Sequence, residues 1–120
     1  MIELLEGEIF LPVAEFPQYS VSNFARVWSS LRGGRLIRSY YHHTYVHRVK
    51  LGRKYQRKLH TLVGRAHLPE YKEGLYILHK DETLPFPQIH YADNLWVGTH
   101  QDNMTDMATK GRRKRSEAAL

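Results

Sequence analysis

The feature that most constrains this fold is the order of short segments in the last third of the chain. The apolar run at residues 75–78 predicts a buried strand that ends at His79. An irregular loop with two prolines follows, and residues 95–97 predict another short strand. Thr99 and Asp102 then form a T-x-x-D capping pattern, which predicts the start of a helix. The sequence therefore predicts a strand–loop–strand–helix unit with a histidine at the end of its first strand.

Three polar side chains of this unit are suited to phosphodiester hydrolysis. His79 ends the first strand, Asn94 opens the second, and Asn103 lies in the first turn of the helix. Histidine can accept a proton from water because its pKa lies near neutrality. An amide oxygen suits a hard divalent metal, which would stabilise the departing oxygen. The plain alternative for His79 is a half-buried histidine whose hydrogen bonds are satisfied by the backbone.

A basic hairpin followed by an amphipathic helix is predicted in the middle of the chain. Residues 45–51 and 55–58 form its two strands, joined by a glycine-containing turn. Apolar side chains then recur at i, i+3, i+4 and i+7 from Leu59 to Ala66, which predicts a helix. The basic side chains of this hairpin, which we expect to contact phosphates, are Arg48, Lys50, Arg53, Lys54, Arg57 and Lys58.

A small β-sheet is predicted near the N-terminus. Residues 19–22 and 25–28 have the composition of two strands around a turn at Asn23. A second turn at the pair Gly33–Gly34 precedes a short apolar strand at residues 36–37.

Composition limits both the class of protein and the class of partner. The chain has 120 residues, a net charge of +6 and no cysteine. One compact domain is therefore expected, and disulfides, cysteine-based zinc sites and a cysteine nucleophile are excluded. The positive charge favours a polyanion as the partner. No apolar run approaches the roughly 20 residues of a membrane span, and the N-terminus lacks the pattern of a signal peptide, so we expect a cytoplasmic protein.

Several segments together resemble the HNH endonucleases, in particular the phage and intron-encoded homing type. L-H-K-D at residues 78–81 and N-L-W-V-G-T-H-Q-D-N at residues 94–103 resemble the ββα-metal motif of that family. L-H-T-L-V-G-R-A-H at residues 59–67 resembles the V-H-R-L-V-A-x-A-F helix that precedes the motif. E-I-F at residues 8–10 and Y-S-V-S-N-F-A-R-V at residues 19–27 resemble the nuclease-associated module often found upstream. The order and spacing of these matches make the combination specific.

The resemblance implies a role for each matching residue. His79 matches the general base, and Asn94 matches the residue that braces the loop carrying that base. Asn103 matches the helix position that ligates a metal, which would be Mg²⁺ or Mn²⁺. His100 lies one turn away on the same side of the helix and is a further candidate for contacting metal or phosphate.

The chain departs from the family pattern just before the general base. Many relatives carry Asp or Asn there as a second metal ligand, whereas this sequence has Leu78. The loop after His79 is also longer than usual, and Asp81 within it is the candidate for supplying the missing carboxylate.

Other histidines are expected to be structural. His60 and His67 lie on one side of the predicted helix with Gly64, and hydrogen bonding is favoured over catalysis for both. His42 and His43 are expected to be a surface pair and not a metal site.

These expectations combine into one α+β protein. Residues 1–40 form an N-terminal nuclease-associated β module, residues 41–109 an HNH ββα-metal nuclease domain, and residues 110–120 a basic tail. The resemblance implies metal-dependent hydrolysis of phosphodiester bonds in double-stranded DNA, in a protein that fits a phage origin and action in the host cytoplasm. Two alternatives stay open: a catalytically degenerate nucleic-acid-binding protein of this fold, and a nuclease-derived protein that modulates a partner protein. The tail residues expected to contact phosphates are Arg112, Arg113, Lys114 and Arg115.

Overall fold

The computed structural model describes residues 3–43 and 46–110, and the side chains of all of these except residues 42 and 43. The strands in these residues are β1 (Phe10–Val13), β2 (Phe16–Ser22), β3 (Val27–Ser29), β4 (Arg35–Ile37), β5 (Tyr40–His43), β6 (Val46–Lys50), β7 (Gln56–Lys58), β8 (Tyr76–His79) and β9 (Leu95–Gly98), and the helices are α1 (Leu59–His67) and α2 (His100–Thr109). The strands form a four-stranded sheet, β1-β2-β3-β4, a three-stranded sheet, β5-β6-β7, and the hairpin β8-β9. The predicted α+β class is confirmed. Neither helix in these residues is long and apolar enough to cross a membrane.

The N-terminal sheet follows the alternation of its sequence. Val21 pairs with Val27 across β2 and β3, and both side chains are buried. Residues 10–13 were not predicted as a strand, because Pro12 interrupts their pattern. β1 lies at the edge of the sheet, where proline is tolerated because no neighbouring strand needs its backbone N–H.

Helix α1 packs against both the N-terminal sheet and the β8-β9 hairpin. Gly64 is buried at this contact, and a Cβ atom there would lie 2.5 Å from Cγ2 of Ile77 in β8. Glycine is therefore what allows the helix to approach the strand so closely. His60 lies four residues before Gly64, on the same side of α1, so the same approach brings His60 to the end of β8.

Helix α2 begins at the predicted capping box. The backbone N–H of Thr99 donates to Oδ2 of Asp102 at 2.9 Å, and the backbone N–H of Asp102 donates to Oγ1 of Thr99 at 3.1 Å. At the other end of the helix, Nζ of Lys110 donates to the backbone carbonyl of His79, which fixes α2 to the end of β8. Residues 111–120 of the predicted basic tail lie outside the described residues.

One hydrophobic core joins the two predicted modules. Val21 and Val27 of the N-terminal sheet belong to the same buried cluster as Val49 of β6, Leu59 of α1 and Leu95 of β9. The predicted boundary at residue 40 therefore does not separate two hydrophobic cores. Residues on both sides of it depend on α1 for their burial.

A buried ion pair stabilises the N-terminal module. The Glu8 side chain has no exposed surface, and the guanidinium of Arg26 donates to it from Nε at 2.8 Å. The backbone N–H of Leu5 donates to the same carboxylate at 3.0 Å. The hydrogen bond from Arg26 is the main reason why the pKa of Glu8 falls from 4.5 to about 2, against the opposing effect of burial.

We expect this pair to make folding stability depend on pH in the acid range. The folded-state pKa of Glu8 is depressed, so its contribution is fully present above about pH 4.5 and is lost as the pH falls towards 2. A shift of this size corresponds to about 3 kcal/mol. Glu8→Gln should therefore lower the free energy of unfolding by about 3 kcal/mol at pH 7 and flatten its dependence on pH, as measured by denaturant titration from pH 2 to 7.

Glu15→Gln is the matched control for this prediction. Its carboxylate also pairs with arginine, Arg57 at 3.1 Å, but the side chain is 40% exposed. Removal of an exposed pair should cost less than about 1 kcal/mol. If Glu8→Gln and the wild-type protein lose stability in parallel between pH 4.5 and 2, Glu8 is not the group that carries the acid sensitivity.

Candidate active site and metal centre

His79 lies at the end of β8 and faces α1. Its side chain is buried, with 5% of its surface exposed. Side chains alternate along a strand, so His79 shares a face with Ile77, which contacts α1 at Gly64. Leu78 lies on the opposite face, where it is buried close to Gly98 of β9. The two neighbouring residues of the predicted motif therefore point to different sides of the hairpin.

Three histidines form a compact cluster around the end of β8. One ring nitrogen from each of His60, His79 and His90 lies within 4.8 Å of the others, so the three side chains could hold a metal ion. His79 and His90 are joined by a contact of 3.0 Å between Nε2 of His79 and Nδ1 of His90. Nε2 of His90 contacts Nδ1 of His47 in β6 at 2.9 Å. The result is a linked row of rings from His79 through His90 to His47.

His90 is neutral at physiological pH because of where it lies. The ring is fully buried, at the end of a short 3-10 turn between β8 and β9. Burial, followed by the neighbouring rings of His79 and His47, lowers the pKa of His90 to about 3. Burial also lowers the pKa of His47. Neutral imidazoles keep one lone pair each, which is the form that accepts a hydrogen bond or ligates a metal.

Asn94 clamps the loop that carries His90. Its Oδ1 accepts from the backbone N–H of Asp81 at 3.1 Å, and its Nδ2 donates to the carbonyls of Asp81 at 3.0 Å and Ile89 at 2.8 Å. The side chain is buried, with 6% of its surface exposed. These three bonds tie the start of the loop to the residue that immediately precedes His90.

Asn103 shares a cavity with His60. The cavity has a volume of ≈ 260 Å³ and lies between α1, β8 and α2, and Lys58 also lines it. Three polar residues, Asn103, His60 and Lys58, thus line one space. This is the position in the described residues where the predicted ligand of α2 comes near the histidine cluster.

The structure places the other two predicted metal ligands outside the histidine cluster. Asp81 is exposed, and its Oδ1 accepts from the backbone N–H and the hydroxyl of Thr83 at 2.8 and 2.6 Å. These bonds lower the pKa of Asp81. His100 is exposed at the start of α2, where its Nδ1 lies 3.0 Å from the hydroxyl of Tyr76. Neither residue belongs to the three-histidine group found in the described residues.

The predicted basic hairpin has two different faces. Arg48 pairs with Lys58 across β6 and β7, and Lys50 lies on the same face two residues along. Arg57 is paired with the buried Val49 across the two strands, so these two side chains share the other face. The turn residues Arg53 and Lys54 are exposed.

Arg57 is engaged within the protein. Its guanidinium contacts the carboxylate of Glu15 at 3.1 Å and lies 5.3 Å from the ring centre of Phe16. The pair with Glu15 raises the pKa of Arg57 and lowers that of Glu15. Arg57 therefore holds the hairpin against the N-terminal sheet, whereas Arg48, Lys50 and Lys58 share the other face.

Sequence reasoning did not identify His90 or His47. His90 stands alone in an irregular loop with no periodicity, and its position between the two strands of the motif is its only signal. His47 had a clearer signal, because strand alternation places it on the same side as the apolar Val49. His60 was expected to be structural and lies in the cluster. The structural expectation fits His67, whose Nε2 contacts the carbonyl of Val21 at 2.8 Å.

The candidate metal ligands offer two kinds of donor. The cluster of His60, His79 and His90 is all imidazole nitrogen, which suits zinc, copper, nickel or iron. Mg²⁺ prefers oxygen ligands and tends to keep several waters, so the cluster does not fit it. Asn103 supplies an amide oxygen in the adjoining cavity, and this position fits Mg²⁺ or Mn²⁺ if phosphate oxygens complete the set.

Comparison with known proteins identifies the fold. The chain is similar to the HNH homing endonuclease I-HmuI, from a structure that describes DNA binding and cleavage by that protein, with a TM-score of 0.69 and 24% sequence identity. The likeness covers 92% of this chain, which spans 66% of the length of that nuclease. No family model matches the chain, and no curated protein matches it. The chain therefore has an HNH-type endonuclease fold, as the sequence motifs predicted.

Proposed function

We propose that this protein is a metal-dependent endonuclease that hydrolyses phosphodiester bonds in double-stranded DNA. The observation that carries the proposal is the position of His79 within this fold: it ends the first strand of the hairpin, and Asn94 clamps the loop packed against it. A general base needs a fixed ring and a defined tautomer. The contact with His90 supports both requirements.

His79 is the proposed general base, acting through Nδ1. Its Nε2 faces Nδ1 of His90, and Nε2 of His90 faces Nδ1 of His47. If each ring donates to the next in that order, Nδ1 of His79 carries the lone pair that accepts the proton of water. His90 and His47 are positioning residues in this scheme, because they fix the tautomer of His79 without contacting the substrate.

Asn103 is the proposed protein ligand for Mg²⁺ or Mn²⁺. When bound, the ion would stabilise the charge that develops on the scissile phosphate and the departing oxygen. Lys58 lines the same cavity and would attract the phosphate to it. Asp81 and His100, which sequence reasoning also proposed as ligands, would have to leave their contacts with Thr83 and Tyr76 to contribute.

The outer face of the hairpin is the proposed DNA-binding surface. Arg48, Lys50 and Lys58 share this face and continue towards the cavity at the start of α1. Lysine and arginine contacts to phosphates position a protein on the duplex more than they read its sequence. The exposed turn and the tail are proposed to add contacts of the same kind, through Arg53, Lys54, Arg112, Arg113, Lys114 and Arg115.

We expect Lys50→Ala and Arg57→Ala to affect DNA binding differently. Loss of one phosphate contact should reduce the slope of log affinity against log salt by about 0.9, so Lys50→Ala should flatten it by that amount. Arg57 faces Glu15, and Arg57→Ala should leave the slope unchanged while lowering stability slightly. Fluorescence anisotropy with a labelled duplex at several salt concentrations measures both slopes. If Lys50→Ala and the wild type have equal slopes of log affinity against log salt, the DNA-binding surface lies elsewhere.

A plasmid cleavage assay tests the proposed function. We expect the protein to convert supercoiled DNA to nicked or linear forms with Mg²⁺ or Mn²⁺, and EDTA to stop the reaction. The competing function is a degenerate nuclease that only binds DNA, and the buried, apolar Leu78 next to the general base favours it. That alternative would be supported by a folded protein that binds the duplex, with an affinity that falls as salt rises, but leaves plasmids intact with either ion.

A further inference from the structure

We infer that His60, His79 and His90 form a binding site for a transition-metal ion of the zinc class, and that the bound ion blocks His79 as a general base. The blocking step rests on the proposed function. The site itself does not, since it follows from three imidazoles whose ligand atoms lie within 4.8 Å of one another.

The burial of the cluster favours a site whose ligands come from the protein. His79 and His90 are buried, and His60 is half-buried beside the cavity that it shares with Asn103. Three histidines with a fourth position open to water or substrate is an established zinc arrangement. Zinc–nitrogen bonds of about 2.0–2.1 Å put ligand atoms about 3.3 Å apart. Nε2 of His79 and Nδ1 of His90 are already 3.0 Å apart, so the ring that must approach, by roughly an ångström, is that of His60. The half-buried ring of His60 is the one with the most room to turn.

His47 supplies the outer support that metal-binding histidines need. A ligating imidazole usually donates its other N–H to a fixed acceptor, which sets its tautomer. Nε2 of His90 lies 2.9 Å from Nδ1 of His47, so a proton on Nε2 leaves the lone pair of His90 on Nδ1. That nitrogen faces His79 within the cluster.

Metal binding would change the tautomer of His79. With each ring donating to the next as proposed above, the proton of His79 in the metal-free protein lies on Nε2, which faces His90, and Nδ1 holds the lone pair. When Nε2 ligates the ion, its proton is displaced and the neutral ring carries its proton on Nδ1. The bound ring then has no lone pair with which to accept a proton from water, so a zinc-class ion and the catalytic role of His79 exclude each other.

Cobalt binding to the DNA-free protein tests the site. We expect one Co²⁺ per chain, with the visible absorption of four-coordinate cobalt, and displacement by Zn²⁺. His60→Ala and the smaller change His60→Asn should each weaken Zn²⁺ binding by more than about 100-fold, beyond the loss typical of an outer contact. His100→Ala is the matched control, because His100 is exposed outside the cluster, and it should bind Co²⁺ like the wild type. Equal binding by folded His60 variants and wild type would overturn the site.

His47 variants test the outer support separately. His47→Ala should weaken Zn²⁺ binding by about 10–100-fold. His47→Asn should restore much of it, because an amide oxygen can accept the hydrogen bond from His90. A His47→Asn protein as weak as His47→Ala would overturn the positioning role.

Two measurements test the blocking step. Nitrogen-15 NMR of the histidine rings should show the proton of His79 on Nδ1 in the zinc-bound protein and on Nε2 in the free protein; an unchanged tautomer would overturn the inference. In the Mg²⁺-supported cleavage assay, added Zn²⁺ should lower the rate of the wild-type protein. At the same Zn²⁺ concentrations, the rate of His60→Ala should equal the rate that this variant has without Zn²⁺. If the protein binds cobalt but does not cleave DNA, the proposed function is rejected and the metal site stands. If it cleaves DNA but does not bind cobalt, the metal site is rejected and the proposed function stands.

Discussion

His79→Ala should lower the rate of DNA cleavage by about 10²-fold or more, the effect expected when a general base is lost. Affinity for the duplex should change by less than about twofold, because the proposed DNA-binding surface lies on the outer face of the hairpin at Arg48 and Lys50. Single-turnover cleavage of a plasmid measures the rate, and anisotropy measures the affinity. The two readouts separate loss of proton transfer from loss of binding.

His67→Ala is the matched control for that experiment. It removes a histidine of α1 whose ring contacts the carbonyl of Val21 and does not belong to the three-histidine cluster. We expect lower thermal stability and an undiminished cleavage rate at a temperature at which the variant is folded. Full activity of His79→Ala would refute the assignment of the general base, and equal losses in both variants would indicate a folding defect.

Both helices could be predicted because the signals that specify them lie within a few residues of one another in the sequence. The period of Leu59 to Ala66 and the Thr99–Asp102 pair identify the two helices. The strand at residues 10–13 escaped prediction because Pro12 interrupts its pattern, although it pairs with β2 in a local hairpin. The closeness of α1 and β8 was also not predictable, since a helical glycine says nothing about which side chain, here Ile77, fills the space beside it.

The candidate site was predictable only where residue type and order carried the information. His79, Asn94 and Asn103 were predicted from their order. In the structure Asn94 bonds to the residue before His90, and Asn103 lines a cavity with His60. His90 was missed because its position depends on how Asn94 folds an irregular loop. Its burial is therefore a property of the folded loop and has no counterpart in the local sequence pattern.

Asn94→Ala should lower both stability and activity, because it releases the loop that holds His90 beside His79. The change leaves three backbone groups without the bonds that Asn94 supplies: the N–H and carbonyl of Asp81 and the carbonyl of Ile89. Unsatisfied buried groups cost about 1–3 kcal/mol each, and partial access of water to the exposed end of the loop reduces the sum. We expect a loss of about 2–4 kcal/mol in the free energy of unfolding, measured by denaturant titration.

The activity loss in Asn94→Ala should exceed what unfolding explains. A displacement of about 1 Å in a catalytic group can cost about 10²-fold in rate, so cleavage should fall by about that factor under conditions where the variant is folded. Asn23→Ala is the matched control: its side chain also accepts from one backbone N–H, that of Ile9 at 2.8 Å, and donates to one carbonyl, that of Gly7 at 3.1 Å. The backbone carbonyl of Asn23 accepts from the N–H of Ala92 at 2.9 Å, and a change of side chain leaves that bond to the His90 loop in place. Asn23→Ala should lose stability and keep its cleavage rate. If folded Asn94→Ala cleaves as fast as Asn23→Ala, the clamp is structural only, and His79 keeps its position without it.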